Sequence, residues 1–123
     1  MSSRAQQSGR RAEDVAADFL RSAGCEILLR NYRRRLGELD IVARDGGVLV
    51  VAEVRTRASS AYGGAAASVT CAKQQRIARA ASALLQQRPE LARLAVRFDV
   101  IVVSDPHGSS PAIEWIRHAF DAA

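Results

Sequence analysis

Asp40 and Glu53 stand on either side of Asp45-Gly46-Gly47, and Arg55 follows Glu53 on the same predicted strand face. Glycine pairs and Asp-Gly between apolar alternating runs predict a β-hairpin. If Gly46-Gly47 is the turn, Asp45 opposes Val48 and Asp40 opposes Glu53. If Asp45-Gly46 is the turn, Glu38 takes that place. In either register Glu38, Asp40 and Val42 share a face with Val51, Glu53 and Arg55, because side chains alternate with period two. Directly opposed side chains sit about 5 Å apart at Cβ, where like charges repel. A divalent cation would relieve that repulsion; so would Arg55 or Arg57, in a purely structural arrangement. The apolar run Val48-Leu49-Val50-Val51-Ala52 around Glu53 reads as a central strand, where a carboxylate is costly unless paired or metal-bound.

Other charged residues fall near this hairpin. Lys73 is the only lysine among 18 cations, so its compact, titratable ammonium stands out in a chain that otherwise uses arginine. It lies one turn before Ile77 on a predicted helix, and an inward lean would bring it toward Glu53. Glu13 borders the apolar stripe of the first helix. It is either a first-turn acid favoured by the helix dipole or a group pointing past the helix edge toward the sheet. Tyr32-Arg33-Arg34-Arg35 is read as a basic surface loop leading into the hairpin, suited to a phosphate backbone. Arg76 and Arg79 flank the second helix's stripe and face solvent or a polyanion.

The elements that must hold these residues follow from periodicity. A helix is predicted from about Arg11 to Ala23, its stripe Ala12, Ala16, Phe19, Leu20 and Ala23, ended by Gly24. Residues 1–10 are expected to form a flexible arm and 11–123 a single domain. A short strand spans Cys25–Asn31, followed by the hairpin strands. After a loop around Tyr62-Gly63-Gly64, Ser68 or Thr70 caps a helix running to about Gln87, with Ile77, Ala80, Ala81, Leu84 and Leu85 inward. Ala95–Ser104 alternates as a strand with Val96, Phe98, Val100 and Val102 on one face. A turn-rich stretch then leads to a last strand, Ala112–Arg117. Helix, strand, hairpin, helix, strand, strand predicts an α/β class with one sheet and helices packed on it.

Composition narrows the function classes. The 123 residues are 48% hydrophobic, enough for one core, and the formal charge of +5 favours an anionic partner, nucleic acid before membrane. No apolar run reaches membrane-span length, and the polar first residues lack a signal-peptide core. Cys25 and Cys71 have no ligand spacing, as in a reduced, cytoplasmic setting where both act as small hydrophobes. His107 and His118 lack partners at ligand spacing and are read as structural.

A helical Glu, then Gly-x-x-Asp, then Glu-x-cation at a hairpin end, then a helix, resembles the PD-(D/E)xK nuclease superfamily, in particular the archaeal Holliday-junction resolvases. The chain as a whole is similar to the YraN family of small bacterial proteins. The residues that carry this are Gly37–Ala43, Val51–Arg57, Tyr62-Gly63, Lys73, Arg97–Val100 and Ala119-Phe120. The resemblance implies a mixed, restriction-endonuclease-like sheet flanked by helices. It implies Mg²⁺ or Mn²⁺ held by Asp40, Glu53 and the Val54 carbonyl, with Glu13 completing or orienting that shell. Arg55 stands where the motif has lysine and, always protonated, can stabilise charge but not shuttle protons; Lys73 matches a basic position on the second helix. Arg33, Arg34, Arg35, Arg57 and Arg76 are the expected phosphate contacts. The implied activity is metal-dependent cleavage of structured or branched DNA. The alternative is the same fold without chemistry, as a nucleic-acid-binding or protein-interaction module. A homodimer through an edge strand such as Ala112–Arg117 would suit a two-stranded substrate.

Overall fold

The computed structural model describes residues 4–57 and 69–121, with side chains described from Gly9 onward. Its elements run α1 (Arg4–Ser22), β1 (Glu26–Arg34), β2 (Gly37–Asp45), β3 (Val48–Arg57), α2 (Cys71–Gln87), a 3-10 helix (Pro89–Arg93), β4 (Ala95–Ser104) and β5 (Ala112–Phe120). The strands form one sheet in the order β1-β2-β3-β4-β5. β3 and β4 are parallel and all other neighbours antiparallel. A parallel pair needs a crossover, and α2 lies within the one that joins β3 to β4. The result is the mixed single-sheet α/β domain expected, in a restriction-endonuclease-like layout.

Two apolar layers fix the sheet between the helices. α1 buries Ala12, Ala16, Ala17 and Leu20 against Ile41, Ala43, Val50, Ala52, Ile101 and Val103. Its alanines let the helix backbone approach the strands closely. α2 buries Ile77, Ala80, Ala81 and Leu84 against Leu39, Val42, Leu49, Val51 and Phe98. Thr70 caps α2, its hydroxyl accepting the Lys73 N–H at 3.2 Å. Gly24 ends α1 at φ 94°, a left-handed conformation that suits glycine.

Several boundaries differ from the sequence reading. α1 starts at Arg4, inside the segment read as an arm, because a single Gly9 weakens a helix without ending it. On its buried face Ala17 replaces Ala23, which is exposed past the last turn. β1 continues to Arg34, so Tyr32, Arg33 and Arg34 lie on a strand and not in a loop. Arg33 pairs with Glu38 and Arg34 with Gly37, and the Arg34 guanidinium stacks 4.2 Å from the Tyr32 ring centroid. β4 is buried on both faces at Val100, Ile101, Val102 and Val103, since it lies between β3 and β5 with apolar layers above and below. β5 runs on to Phe120, across a register shift near His118, whose φ is 53°. Cys25 is buried as expected, but Cys71 is exposed at the first residue of α2. Ser68 and the Tyr62-Gly63-Gly64 stretch lie outside the described residues. Among the described residues no helix is long and apolar enough to cross a membrane.

Candidate functional site

The Gly46-Gly47 register holds: Asp45 pairs with Val48, and the ladder continues to Ile41 with Ala52. There the β2–β3 pairing stops, while β3 stays paired with β4 through Arg57. The next contact across β2 and β3 is made by a side chain, Asp40 Oδ2 accepting the Val54 N–H at 2.9 Å. A carboxylate in place of a ladder bond parts the two strands and opens a cleft of about 580 Å³. Glu13 enters it from α1, Asn31 from β1, Glu38 and Asp40 from β2, Glu53, Val54 and Thr56 from β3, and Lys73 from α2. The helices pack on opposite faces of the sheet, so only a gap between strands lets both reach one space.

Burial governs the electrostatics. The Glu53 side chain is 8% exposed; Lys73 Nζ lies 3.5 Å and Arg55 Nε 4.0 Å from its Oε1. Loss of water, then the negative charge of Asp40, push the Glu53 carboxyl up to about 7 against the pull of Lys73 and Arg55. Burial likewise raises Asp40, opposed by the Val54 N–H, the Lys73 ammonium and a hydrogen bond from Glu53. The two carboxyls therefore titrate as a coupled pair, both shifted toward the protonated form. Glu13 is raised too, by burial and then by the charge of Asp40. With its amide oriented to donate, Asn31 Nδ2 reaches both Glu13 carboxylate oxygens, at 3.1 and 3.3 Å.

The structure therefore brings Asp40, Glu53, Val54, Lys73 and Glu13 to one cleft, with unequal parts. Glu13 feels Asp40 but stands outside the pair: among the described residues no three His, Cys, Asp or Glu side chains converge, so side-chain donors to a cation there come from Asp40 and Glu53 alone. Lys73 lines the cleft, whereas Arg55 neighbours Glu53 from outside it. A second groove, of about 310 Å³, shares Arg33, Glu38 and Lys73 with the first and adds Arg34, Arg35, Leu36, Gly37 and Arg76. Arg57 lines neither groove; its Nε donates to Ser104 Oγ at 3.2 Å. Sequence reasoning missed Arg10, Asn31 and Thr56, which also line the cleft. Arg10 was legible as the residue one turn before Glu13 had the helix been extended. Asn31 gains its place from a left-handed backbone, φ 53°, a conformation asparagine tolerates.

A mixed-sheet α/β domain whose second and third strands part around a half-buried aspartate, a buried glutamate and a lysine is the class that fold and cleft define. The chain belongs to the uncharacterised protein family UPF0102, which it matches over residues 12–103. It is similar to a UPF0102 protein of Frankia casuarinae, 49% identical over 91% of this chain and 94% of that one. A UPF0102 protein of Alkalilimnicola ehrlichii is 46% identical, covering 94% of this chain and 88% of its own. One from Stutzerimonas stutzeri is 42% identical over 98% and 99%.

Proposed function

We propose that the protein hydrolyses phosphodiester bonds of structured nucleic acid, probed first as DNA, with a divalent cation at the Asp40–Glu53 pair. The observation that carries this is two carboxylates, Asp40 bound to the Val54 N–H at 2.9 Å and Glu53 with Lys73 Nζ at 3.5 Å, lining one cleft that opens onto arginines. Paired acids of this kind take up a hard cation as they ionise, so the donor set fits Mg²⁺ or Mn²⁺. Asp40, Glu53 and the Val54 carbonyl would hold it. Bound there, it supplies a water of lowered pKa and neutralises charge on the phosphate. The chain's own groups do the rest. Lys73 offsets negative charge at the pair from inside the cleft, and Arg55 does so from beside it. Glu13, oriented by Asn31, acts as a positioning group at the cleft wall. The arginine-lined groove seats the flanking backbone. In the reaction a water oxygen bonds to phosphorus, the bond to one ester oxygen breaks, and the departing oxygen takes a proton.

The test is cleavage of forked, four-way and duplex DNA with Mg²⁺ or Mn²⁺ by the full chain and by Asp40→Ala and Glu53→Ala variants. Expected are products with the parent protein, none with EDTA, and a loss of at least about 100-fold in each variant. Equal cleavage by parent and variants would refute the reading. Arg55 at the motif's lysine position favours a second reading, binding without hydrolysis. Salt-sensitive DNA binding with no metal-dependent products would support that one instead.

A further inference from the structure

The β1–β2 turn ends in an apolar side chain where charge would be expected. Leu36 is 57% exposed, one of two large hydrophobics so exposed among the described residues, and it follows Arg33-Arg34-Arg35. This tip is held in place. A Cβ at Gly37 would run into the backbone carbonyl of Arg76, so the hairpin lies directly on α2. Tyr32 Oη and Arg34 Nη2 both donate to Gln87 Oε1, at 2.8 and 2.6 Å, tying the strand to the other end of that helix. An exposed leucine on a braced turn has a fixed direction.

Leu36 also lies where two grooves meet. On one side is the arginine-lined groove that leads through Arg33, Glu38 and Lys73 to the carboxylate pair. On the other is a groove of about 530 Å³ along the outer face of α2, lined by Gln75, Ala78, Arg79, Ser82, Ala83 and Gln86. The first is rich in cations; the second mixes one cation with hydrogen-bonding and small side chains. We propose that Leu36 is a wedge at which two nucleic-acid strands part, one entering the arginine-lined groove toward Asp40 and Glu53 and the other lying on the outer face of α2. Apolar wedges set among cations unstack base steps, at a cost that backbone contacts must offset. Arg33, Arg35, Arg76 and Arg79 are the charges placed to do so. The inference rests on the proposed nucleic-acid reading and deepens it: the substrate is a fork or branch, not continuous duplex.

The experiment uses forked DNA carrying 2-aminopurine at the branch, in EDTA so that no cleavage occurs, with the full chain and its Leu36→Ala variant. The parent protein is expected to raise 2-aminopurine fluorescence on binding and to prefer the fork to uninterrupted duplex. Leu36→Ala, a surface change that leaves the fold intact by urea denaturation, is expected to lose most of the fluorescence rise and the fork preference. Equal fluorescence change in both proteins would overturn the wedge while leaving hydrolysis standing. No binding of the parent to any of these DNAs would overturn wedge and nucleic-acid reading together. Binding and unstacking without metal-dependent cleavage would uphold the wedge and refute only the chemistry. A parent dimer that Leu36→Ala converts to monomer in sedimentation would assign the leucine to self-association and overturn the wedge.

Discussion

Burial beside another acid raises the pKa of Glu53, and that has a consequence for stability. Its folded pKa, about 7, lies above its ordinary value of 4.5, so between those values the folded chain binds more protons than the unfolded chain. Stability tied to this group is then fully present below pH 4.5, falls as pH rises toward about 7, and levels off above it. Asp40 and Glu13, raised by burial as well, act in the same direction. Glu53→Gln keeps the shape and removes the titration. The variant is expected to gain on the parent across that window in metal-free buffer, by on the order of 3 kcal/mol at most. Urea denaturation at closely spaced pH values measures it. A difference between the two proteins that stays constant with pH would show that Glu53 is not held protonated. Added Mn²⁺ should reverse the trend for the parent, since the cation displaces the proton and gains affinity as pH rises.

A different acid decides how β4 and β5 meet. Asp99, fully buried, accepts Arg97 Nε and Nη2 at 2.9 Å each, Trp115 Nε1 at 2.8 Å and the His118 N–H at 2.9 Å. These bonds span the register shift between the strands and hold Trp115 edge-on against Phe19 of α1. Removing the carboxylate leaves a half-buried guanidinium and an indole N–H without their acceptor. Asp99→Ala is therefore expected to cost about 3 kcal/mol, measured by urea denaturation, with Mn²⁺ affinity at the cleft unchanged. A cost below about 1 kcal/mol would mean water replaces the carboxylate. The sequence displayed an acid inside an apolar strand, but Trp115 and His118 become its partners only through a strand register that periodicity does not encode. The same limit explains the other boundaries. Alternation and glycine spacing sufficed for the β2–β3 register and the α2 stripe. The extension of β1 through three charged or aromatic residues depended on Gln87, fifty-odd positions away.

Across the whole molecule, the acids of the cleft and the arginines of the adjoining groove occupy separate places. Asp40 and Glu53 were legible from residue type and hairpin geometry, and Lys73 from its place one turn before Ile77 on the α2 stripe. The arginines were legible as a group but not individually. Arg57 looked equivalent to Arg33, Arg35 and Arg76, yet it is engaged with Ser104 away from both grooves, while Arg10 turned out to line the cleft. That sorting predicts a salt dependence. If the groove arginines neutralise about three phosphates of a duplex arm, the logarithm of affinity should fall with that of salt with slope about −2.7, roughly 40-fold between about 50 and 200 mM. Arg33→Ala, Arg35→Ala and Arg76→Ala should each lower the slope by about one. Arg57→Ala, which loses a bond to Ser104 and no phosphate, should leave it unchanged. Fluorescence anisotropy at four salt concentrations measures all five proteins. An Arg57→Ala slope reduced as much as the others would mean that net charge, not the groove, binds the polyanion. An unchanged slope in that variant alone would place the contact surface on the β1–β2 hairpin and the start of α2, adjoining the carboxylates of the proposed site.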